Sequence, residues 1–160
     1  MSAQKLNRVL KCFRIGDPNG TYPIFDAEGS KLYPGRWNTP DSPVIYASEH
    51  YSTAMLEKLV HLNGKIPANQ HFIEVTLPND LSYEMVTPHT LSGWEAADMK
   101  VAKAFGTNWQ KQNRSAILIV PSLVARMESN IVINPSHPEF NKIKASWHMP
   151  IWWDTRLFTK

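Results

Sequence analysis

Short apolar segments, separated by turn residues and interrupted by only two helical patterns, constrain what this chain can fold into. Residues 71–77 (HFIEVTL) alternate apolar and polar side chains, which predicts a half-buried strand. Residues 116–120 form a continuous apolar run that is typical of a buried strand. Further strands are predicted at residues 9–15, 43–47, 83–86, 131–133 and 156–158. Several strands with few helices predict an α+β domain with a mixed, mostly antiparallel sheet.

Two helices are expected between these strands. The first is predicted from about Glu49 to Leu62, with Ser48 as its cap and Asn63-Gly64 closing it. Its apolar side chains cluster on one face: Met55, Leu56, Leu59, Val60 and Leu62. Glu57 lies off the centre of that face, so periodicity alone favours a solvated glutamate. The second helix is predicted from Trp94 to about Trp109, with core candidates Ala96, Ala97, Val101, Ala104 and Phe105.

A segment rich in glycine and proline, residues 16–35, is predicted to be a long loop. Such a loop in a compact domain is usually functional or disordered. Arg14 precedes this loop and Arg36 follows it. A pair of arginines suits a pyrophosphate, because each guanidinium presents paired donors. Surface ion pairs are the alternative interpretation of both arginines.

Length and composition favour one globular domain over residues 1–160, long enough to bury a core. The net charge of +3 gives no strong indication of a nucleic-acid binder, although it would help attract a small polyanion. The single cysteine, Cys12, excludes an internal disulfide, fits a reducing cytosol and has apolar neighbours that predict a buried thiol. No apolar stretch approaches the roughly 20 residues that cross a membrane. A cytoplasmic protein without a membrane partner is expected.

The common signatures of cofactor and metal chemistry are missing from the sequence. There is neither a GxGxxG fingerprint nor a GxxxxGK[ST] loop. The histidines form no HExxH pattern, and one cysteine cannot build a zinc site, so metal catalysis is not expected. Ser122 does not lie in a GxSxG elbow.

The remaining polar and aromatic candidates each have two interpretations. Tyr46, in the segment PVIYAS, either packs in the core or stacks on a flat base. Ser122 follows a strand and either forms a turn or contacts a substrate. Trp147, Trp152 and Trp153 could form a base-stacking platform, but their apolar neighbours favour a packed C-terminal segment.

The order and spacing of these motifs resemble the RES family. The resemblance is carried by FRI (13–15), GRWN (35–38), PVIYAS (43–48), AMLE (54–57) and VPS (120–122). The later segments NIVINPSHPEF (130–140) and WWDTRLF (152–158) resemble the closing motifs of the family, so the resemblance spans about residues 9–158. One departure is the segment 39–42, where many members have a glycine before the proline.

The resemblance implies site residues and a reaction. Arg36, Tyr46, Glu57 and Ser122 match the arginine, tyrosine, glutamate and serine of the family, and Arg14 matches a further arginine near the NAD⁺ pocket. Glu57 would stabilise an oxocarbenium ion, and the two arginines would hold the pyrophosphate. Tyr46 would orient the nicotinamide, and Ser122 would orient Glu57 or contact the ribose.

The family also implies a biological role. Its members have a fold similar to that of ADP-ribosyltransferases and are toxins of bacterial type II toxin–antitoxin systems. They degrade NAD⁺ as a substrate, with water or inorganic phosphate as acceptor, and no resident cofactor is implied. The usual partner is an Xre-like helix-turn-helix antitoxin. Transfer of ADP-ribose to a protein, a metal-independent RNase or nucleic-acid-binding toxin, and a silent binding domain are the alternatives.

Overall fold

The computed structural model describes residues 2–62, 64–65 and 68–158, so Asn63, expected to close the first helix, lies outside the described residues. The strands are β1 (Gln4–Lys5), β2 (Leu10–Gly16), β3 (Ile45–Ser48), β4 (His71–Leu77), β5 (Ser82–Met85), β6 (Ile117–Pro121), β7 (Ser129–Ile133), β8 (Lys144–Ala145) and β9 (Met149–Pro150). The helices are α1 (Glu28–Leu32), α2 (Tyr51–Val60) and α3 (Lys100–Lys111). The short helix α1 lies inside the segment that was predicted to be loop throughout.

The strands form one sheet in the order β1-β5-β6-β7-β3-β2-β4-β8, and β9 also pairs with β4. Strands β5 and β6 run parallel, and the other described pairs are antiparallel. This confirms the prediction of an α+β domain with a mixed, mostly antiparallel sheet. Strand β4 has the predicted bounds, because alternating side chains define a strand with one buried face.

The centre of the sheet is divided between β2 and β3. Strand β2 pairs with β4 from Leu10↔Leu77 to Gly16↔His71, and β3 pairs with β7 from Ile45↔Ile133 to Ser48↔Asn130. Within the described strands, β2 and β3 pair only at Phe13↔Ser48. The two halves of the sheet therefore separate on either side of this contact, where polar side chains can enter.

Both faces of the central strands are buried, which explains their continuous apolar sequence. One face packs in a cluster that includes Ile45, Ile119 and Ile131 together with Cys12. The other face packs against α3 and the GRWN loop, through Trp37, Trp109 and Val132 among others. The expectation of a buried thiol is confirmed, and burial raises the pKa of Cys12 to about 12.

Helix α3 begins later than predicted, and its buried face differs. Met99 has a left-handed backbone conformation, with φ of 60°, and the Asp98 carboxylate accepts a hydrogen bond from the Lys100 N–H. These features end the preceding turns and start the helix at Lys100, so the predicted start at Trp94 is wrong. The buried side of α3 carries Ala102, Gly106, Trp109 and Gln110, whereas the predicted core residue Val101 is exposed.

Helix α2 also buries a different face from the one predicted. Its buried residues are Thr53 and Ala54, whereas Leu56 is 41% and Val60 53% exposed. Small side chains on the packed face let the helix approach the sheet closely. The residue that precedes the helix is His50, which makes no side-chain cap, so the predicted cap at Ser48 is wrong.

The C-terminal segment differs from its prediction in two respects. Residues Thr155–Leu157 form a 3₁₀ turn instead of a strand, because the Asp154 carboxylate accepts the Arg156 N–H. Trp153 is half-buried against the cluster of Ile15, Ala54 and Ile151, as the packed interpretation predicts. Trp147 and Trp152 are 81% and 88% exposed, so packing was the wrong prediction for both.

Candidate active site

Strand β3 organises the candidate site. Tyr46 and Ser48 are two residues apart, so their side chains leave the same face of the strand. Both contact polar groups on neighbouring elements, and all five residues singled out by the sequence lie around this strand or contact the elements beside it.

The carboxylate of Glu57 is held by two donors. Its Oε1 accepts a hydrogen bond of 2.8 Å from the Ser122 hydroxyl and one of 2.7 Å from the Asn130 side-chain amide. Among the described residues, Oε2 of the same carboxylate makes no hydrogen bond. The arrangement fixes one oxygen and leaves the other available to a ligand. Glu57 is half-buried, so the solvated position favoured by helical periodicity is wrong.

Ser122 is fully buried at the end of β6 and also closes the turn that follows. Its N–H donates to the Glu128 carbonyl, and its Oγ accepts a hydrogen bond from the Ala125 N–H. The turn therefore fixes the hydroxyl while that hydroxyl donates to Glu57. The turn interpretation of Ser122 is confirmed by these contacts, and its contact with a substrate stays a prediction.

Asn130 was missed by the sequence interpretation. It pairs with Ser48 across β3 and β7, and its Oδ1 accepts a hydrogen bond of 2.8 Å from the Ser48 hydroxyl. This contact orients the amide so that Nδ2 faces Glu57. The available signal was a polar residue at the start of the apolar run NIVI, but its partner could be found only from strand pairing.

Tyr46 supports the GRWN loop. Its hydroxyl donates to Asn38 Oδ1 over 2.8 Å and accepts the Trp37 N–H over 3.0 Å. A Cβ atom at Gly35 would lie 2.7 Å from the Tyr46 ring, so the loop crosses this ring closely. Burial raises the pKa of Tyr46. These contacts correspond to the packing interpretation of Tyr46.

Arg36 is half-buried and tethers the segment before α3. Its Nη1 donates to the carbonyls of Trp94 and Ala96, over 3.0 and 2.8 Å. In the part of the chain that the structure describes, Nε and Nη2 have no hydrogen-bond partner. Arg36 is thus held at one end of its guanidinium, and the surface ion pair considered from the sequence is not formed within that part of the chain.

Arg14 lies at the division between β2 and β3. Its Nε donates to the Ile24 carbonyl over 2.6 Å, and its Nη1 donates to the Tyr46 carbonyl over 2.8 Å. Burial lowers the pKa of Arg14 to about 10, and the nearby charge of Asp26 acts in the opposite direction. The guanidinium remains cationic at neutral pH and connects the long loop with β3.

Four of the five predicted residues therefore form two hydrogen-bonded pairs beside β3, and Arg36 adjoins one of them through Trp37. Ser122 contacts Glu57 directly, whereas Arg14 contacts Tyr46, which in turn contacts the residue after Arg36. Ser48 and Asn130 connect Glu57 to the same strand. None of the described hydrogen bonds joins Arg36 to Glu57.

A separate group of potential metal ligands lies at the rim of this region. One ligand atom from each of Glu49, His50 and Glu128 lies within 4.8 Å of the others, and the His50 and Glu128 side chains are 2.6 Å apart. Glu49 and His50 are exposed and Glu128 is half-buried, and exposed acidic groups of this kind are common without an ion. We assign no chemistry to this group.

No helix among the described residues is long and apolar enough to span a membrane.

The fold and the site together define a class: an α+β domain with a divided sheet, in which one helix directs a single fixed carboxylate toward the strand ends. Among solved structures, the chain is similar to the Mycobacterium tuberculosis MbcT–MbcA toxin–antitoxin complex, with a TM-score of 0.72 and 15% identity. The similarity covers 91% of this chain and 85% of the matched one. At this identity it establishes the fold.

Sequence comparison identifies the family. The RES domain matches residues 11–154. The Prs ADP-ribosylating toxin of Sphingobium sp. (strain YBL2) is 36% identical over 155 residues, which cover 92% of this chain and 96% of the relative. Toxin Res of Photorhabdus laumondii is 30% identical over 117 residues, which cover 71% of this chain and 74% of the relative. The chain belongs to the RES family, and the curated relatives that it matches are named as toxins.

Proposed function

We propose that this RES protein is the toxin of a toxin–antitoxin system and cleaves the nicotinamide N-glycosidic bond of NAD⁺. One observation carries the proposal: Glu57 Oε1 is fixed by Ser122 and Asn130, while Oε2 has no hydrogen bond with the described residues. A preorganised carboxylate of this kind stabilises positive charge that develops in a transition state.

The chemistry needs only one such carboxylate. Cleavage breaks the bond between the ribose C1′ and the nicotinamide nitrogen, and the electron pair leaves with the nitrogen. Because nicotinamide leaves from a cationic pyridinium, no general acid has to protonate it, unlike the leaving group of a glycoside hydrolase. Glu57 would stabilise the oxocarbenium character of the ribose. The oxygen of water or of inorganic phosphate would then bond to C1′, and a proton would be released.

The other residues would hold the dinucleotide around Glu57. Arg36 has two guanidinium nitrogens that the described residues leave unused, which suits the pyrophosphate. Arg14 supplies a second cation at the division of the sheet. Ser122 would orient Glu57 through the hydrogen bond described above. The Tyr46 hydroxyl is already bonded within the fold, so we propose that any contact with nicotinamide uses the edge of its ring.

Purified protein tests the proposal. Incubation with NAD⁺ should release nicotinamide, measured by chromatography, and the second product separates the possible reactions. ADP-ribose would indicate hydrolysis, and its phosphate ester would indicate phosphorolysis. Labelled ADP-ribose on a protein would instead indicate transfer, the activity that the name of the Sphingobium relative states. Absence of nicotinamide release with every acceptor would contradict the proposal.

Arg36→Ala should chiefly weaken substrate binding. We expect KM for NAD⁺ to rise about tenfold or more, because a charge-assisted contact with the pyrophosphate is lost. Steady-state kinetics would separate this effect from a change in kcat. Since Arg36 also holds the Trp94 and Ala96 carbonyls, Arg36→Lys provides a comparison that keeps the charge but not the paired donors. An unchanged KM in Arg36→Ala would exclude the pyrophosphate role.

Asn130→Ala should lower kcat about tenfold, with a smaller effect on KM. The variant removes one of the two donors that fix Glu57 Oε1 and leaves the Ser122 hydrogen bond in place. Asn141→Ala is the matched control, since Asn141 is exposed. Equal kcat values for Asn130→Ala and wild type would mean that Ser122 alone positions the carboxylate.

The proposed partner is an Xre-like helix-turn-helix antitoxin, and the proposed location is the cytoplasm, where NAD⁺ is available. The structural neighbour was solved as a toxin–antitoxin complex, which supports a protein partner of this kind. Co-expression with the product of the adjacent gene should yield a complex that lacks NAD⁺ consumption. Salt-sensitive binding of oligonucleotides by the isolated chain would instead favour the nucleic-acid alternative.

A further inference from the structure

Ser48 ends β3 at the point where the sheet divides. Within the described strands it forms the only pair between β3 and β2, with Phe13, and on its other side it pairs with Asn130 of β7. The strands on both sides therefore hold its backbone. The side chain is buried, with 4% of its surface exposed. A hydroxyl in such a position has to find its hydrogen bond inside the protein.

The hydroxyl of Ser48 uses its hydrogen bond to hold Asn130. It donates to Asn130 Oδ1 over 2.8 Å, and it makes no other hydrogen bond with the residues that the structure describes. Residues directly opposite each other on antiparallel strands have neighbouring side chains on one face, so strand pairing itself brings the two groups together. Because Asn130 Nδ2 donates to Glu57 Oε1 over 2.7 Å, Ser48 reaches the carboxylate through a single intermediate.

The Asn130 amide is held at both of its ends. A carboxamide has an acceptor oxygen at one end and two N–H donors at the other. The charge of Glu57 by itself would turn Nδ2 toward the carboxylate, but one hydrogen bond leaves the amide free to rotate about that contact. The second hydrogen bond, from Ser48, fixes the plane of the amide and the direction in which its donor points.

Both donors to Glu57 Oε1 are supported in the same way. The Ser122 hydroxyl is fixed by the Ala125 N–H, and the Asn130 amide is fixed by the Ser48 hydroxyl. A carboxylate that is held by two anchored donors has little freedom to rotate. The direction of its other oxygen, Oε2, therefore depends on both supports.

We propose that Ser48 is a positioning residue for the reaction at Glu57 and acts through the Asn130 amide. The proposal rests on the proposed function, in which Glu57 faces the ribose of NAD⁺. Ser48 does not contact the substrate in this scheme, and the pyrophosphate is held by arginines. Loss of the Ser48 hydroxyl should consequently lower kcat and have little effect on KM, because groups that position a catalytic residue act on the chemical step.

Kinetics of nicotinamide release at varied NAD⁺ concentration test the proposal. Ser48→Ala should lower kcat about fivefold and change KM by less than about twofold. Ser48→Thr keeps the hydroxyl and suits a strand, so it should restore most of the lost kcat. Ser115→Ala is the matched control, since Ser115 is a fully buried serine whose hydroxyl donates to the Ile117 carbonyl. It lies before β6, at the opposite end from Ser122, and its loss should leave kcat unchanged.

Melting curves separate positioning from a general loss of stability. Both alanine variants remove one buried hydroxyl, so Ser48→Ala and Ser115→Ala should melt a few degrees below wild type. Only Ser48→Ala should lose activity. If Ser48→Ala does not fold, Ser48→Cys keeps a side chain of similar size with a weak donor, and its kcat should fall as well.

A double variant tests the route through Asn130. In the Asn130→Ala background, Ser48→Ala should lower kcat no further, because the amide that connects Ser48 to Glu57 is already gone. Independent effects would instead multiply to about fiftyfold, and that result would overturn the route. Equal kcat values for Ser48→Ala and wild type would also overturn the proposal.

The side-chain amide of Asn130 gives a readout that needs no turnover. In protein labelled with ¹⁵N, its NH₂ signals are identified by their absence from Asn130→Ala. Ser48→Ala should shift these signals and speed their exchange with water about fivefold, whereas Ser115→Ala should leave them in place. Unchanged signals in Ser48→Ala would contradict the positioning role. If the signals depend on Ser48 in a protein that does not cleave NAD⁺, the contact is supported and only the proposed reaction is overturned.

Discussion

Glu57→Gln should lower NAD⁺ consumption by about three orders of magnitude or more while leaving the fold intact. Glutamine has the shape of glutamate, and its carbonyl oxygen can still accept the hydrogen bonds from Ser122 and Asn130. What the substitution removes is the negative charge on the free side of the group, which would face the developing oxocarbenium ion. Preorganised charge of this kind is commonly the largest single contribution to catalysis.

The measurement is kcat for nicotinamide release at saturating NAD⁺, together with a melting curve. Glu49→Gln is the matched control, since Glu49 is an exposed carboxylate just before the same helix. It should retain wild-type kcat. Full activity in Glu57→Gln would remove Glu57 from the mechanism, and a large drop in melting temperature would mean that the loss of activity reports misfolding.

Gly106→Ala should destabilise the protein by about 3 kcal/mol, although alanine is normally the better helix former. An ideal Cβ atom at this position would lie 1.9 Å from the Trp37 carbonyl oxygen and 2.8 Å from its carbon. Backbone atoms cannot move aside as a flexible side chain can, so α3 and the GRWN loop would have to separate. For a chain of this size the expected fall in melting temperature is about 6–12 °C.

The control for this prediction is another helical glycine. Gly29 lies in α1, and a Cβ atom there would meet nothing within 4 Å. Gly29→Ala should therefore be neutral or stabilise by up to about 1 kcal/mol. If Gly106→Ala melts at or above the wild-type temperature, the close approach of the loop to α3 is not rigid. Gly106→Ala should also lower activity, because Trp37 adjoins Arg36 and donates to the Tyr46 hydroxyl.

The sequence pattern predicted those elements in which buried and exposed residues alternate regularly. Strand β4 was predicted correctly because alternation indicates one buried face. The ends of helix α2 were predicted to within two residues, but the face that it buries was predicted wrongly. Its large apolar residues Leu56 and Val60 are exposed, while small residues at positions 53 and 54 face the sheet. Hydrophobicity predicts that a face is buried, but it does not predict how closely two elements approach.

The contacts of the candidate site were also not predictable from the sequence pattern. Helical periodicity placed Glu57 at the surface, because the residues around it in α2 carry no information about contacts with β6 and β7. Asn130 is 73 positions away in the sequence, and Ser122 is 65. Their contact with Glu57 exists because β6, β7 and β3 are adjacent in the sheet, and β6 and β3 end where β7 begins.

The sequence by itself determined the family, the class of fold and the kinds of side chain at the candidate site, since motif order and alternation are local properties. Tertiary structure alone decided which oxygen of Glu57 is held and which is left free. It also decided that Tyr46 supports the GRWN loop and that Asn130 contacts Glu57. These are contacts between distant segments, and their geometry depends on strand order and on close approaches such as that of Gly106 to Trp37.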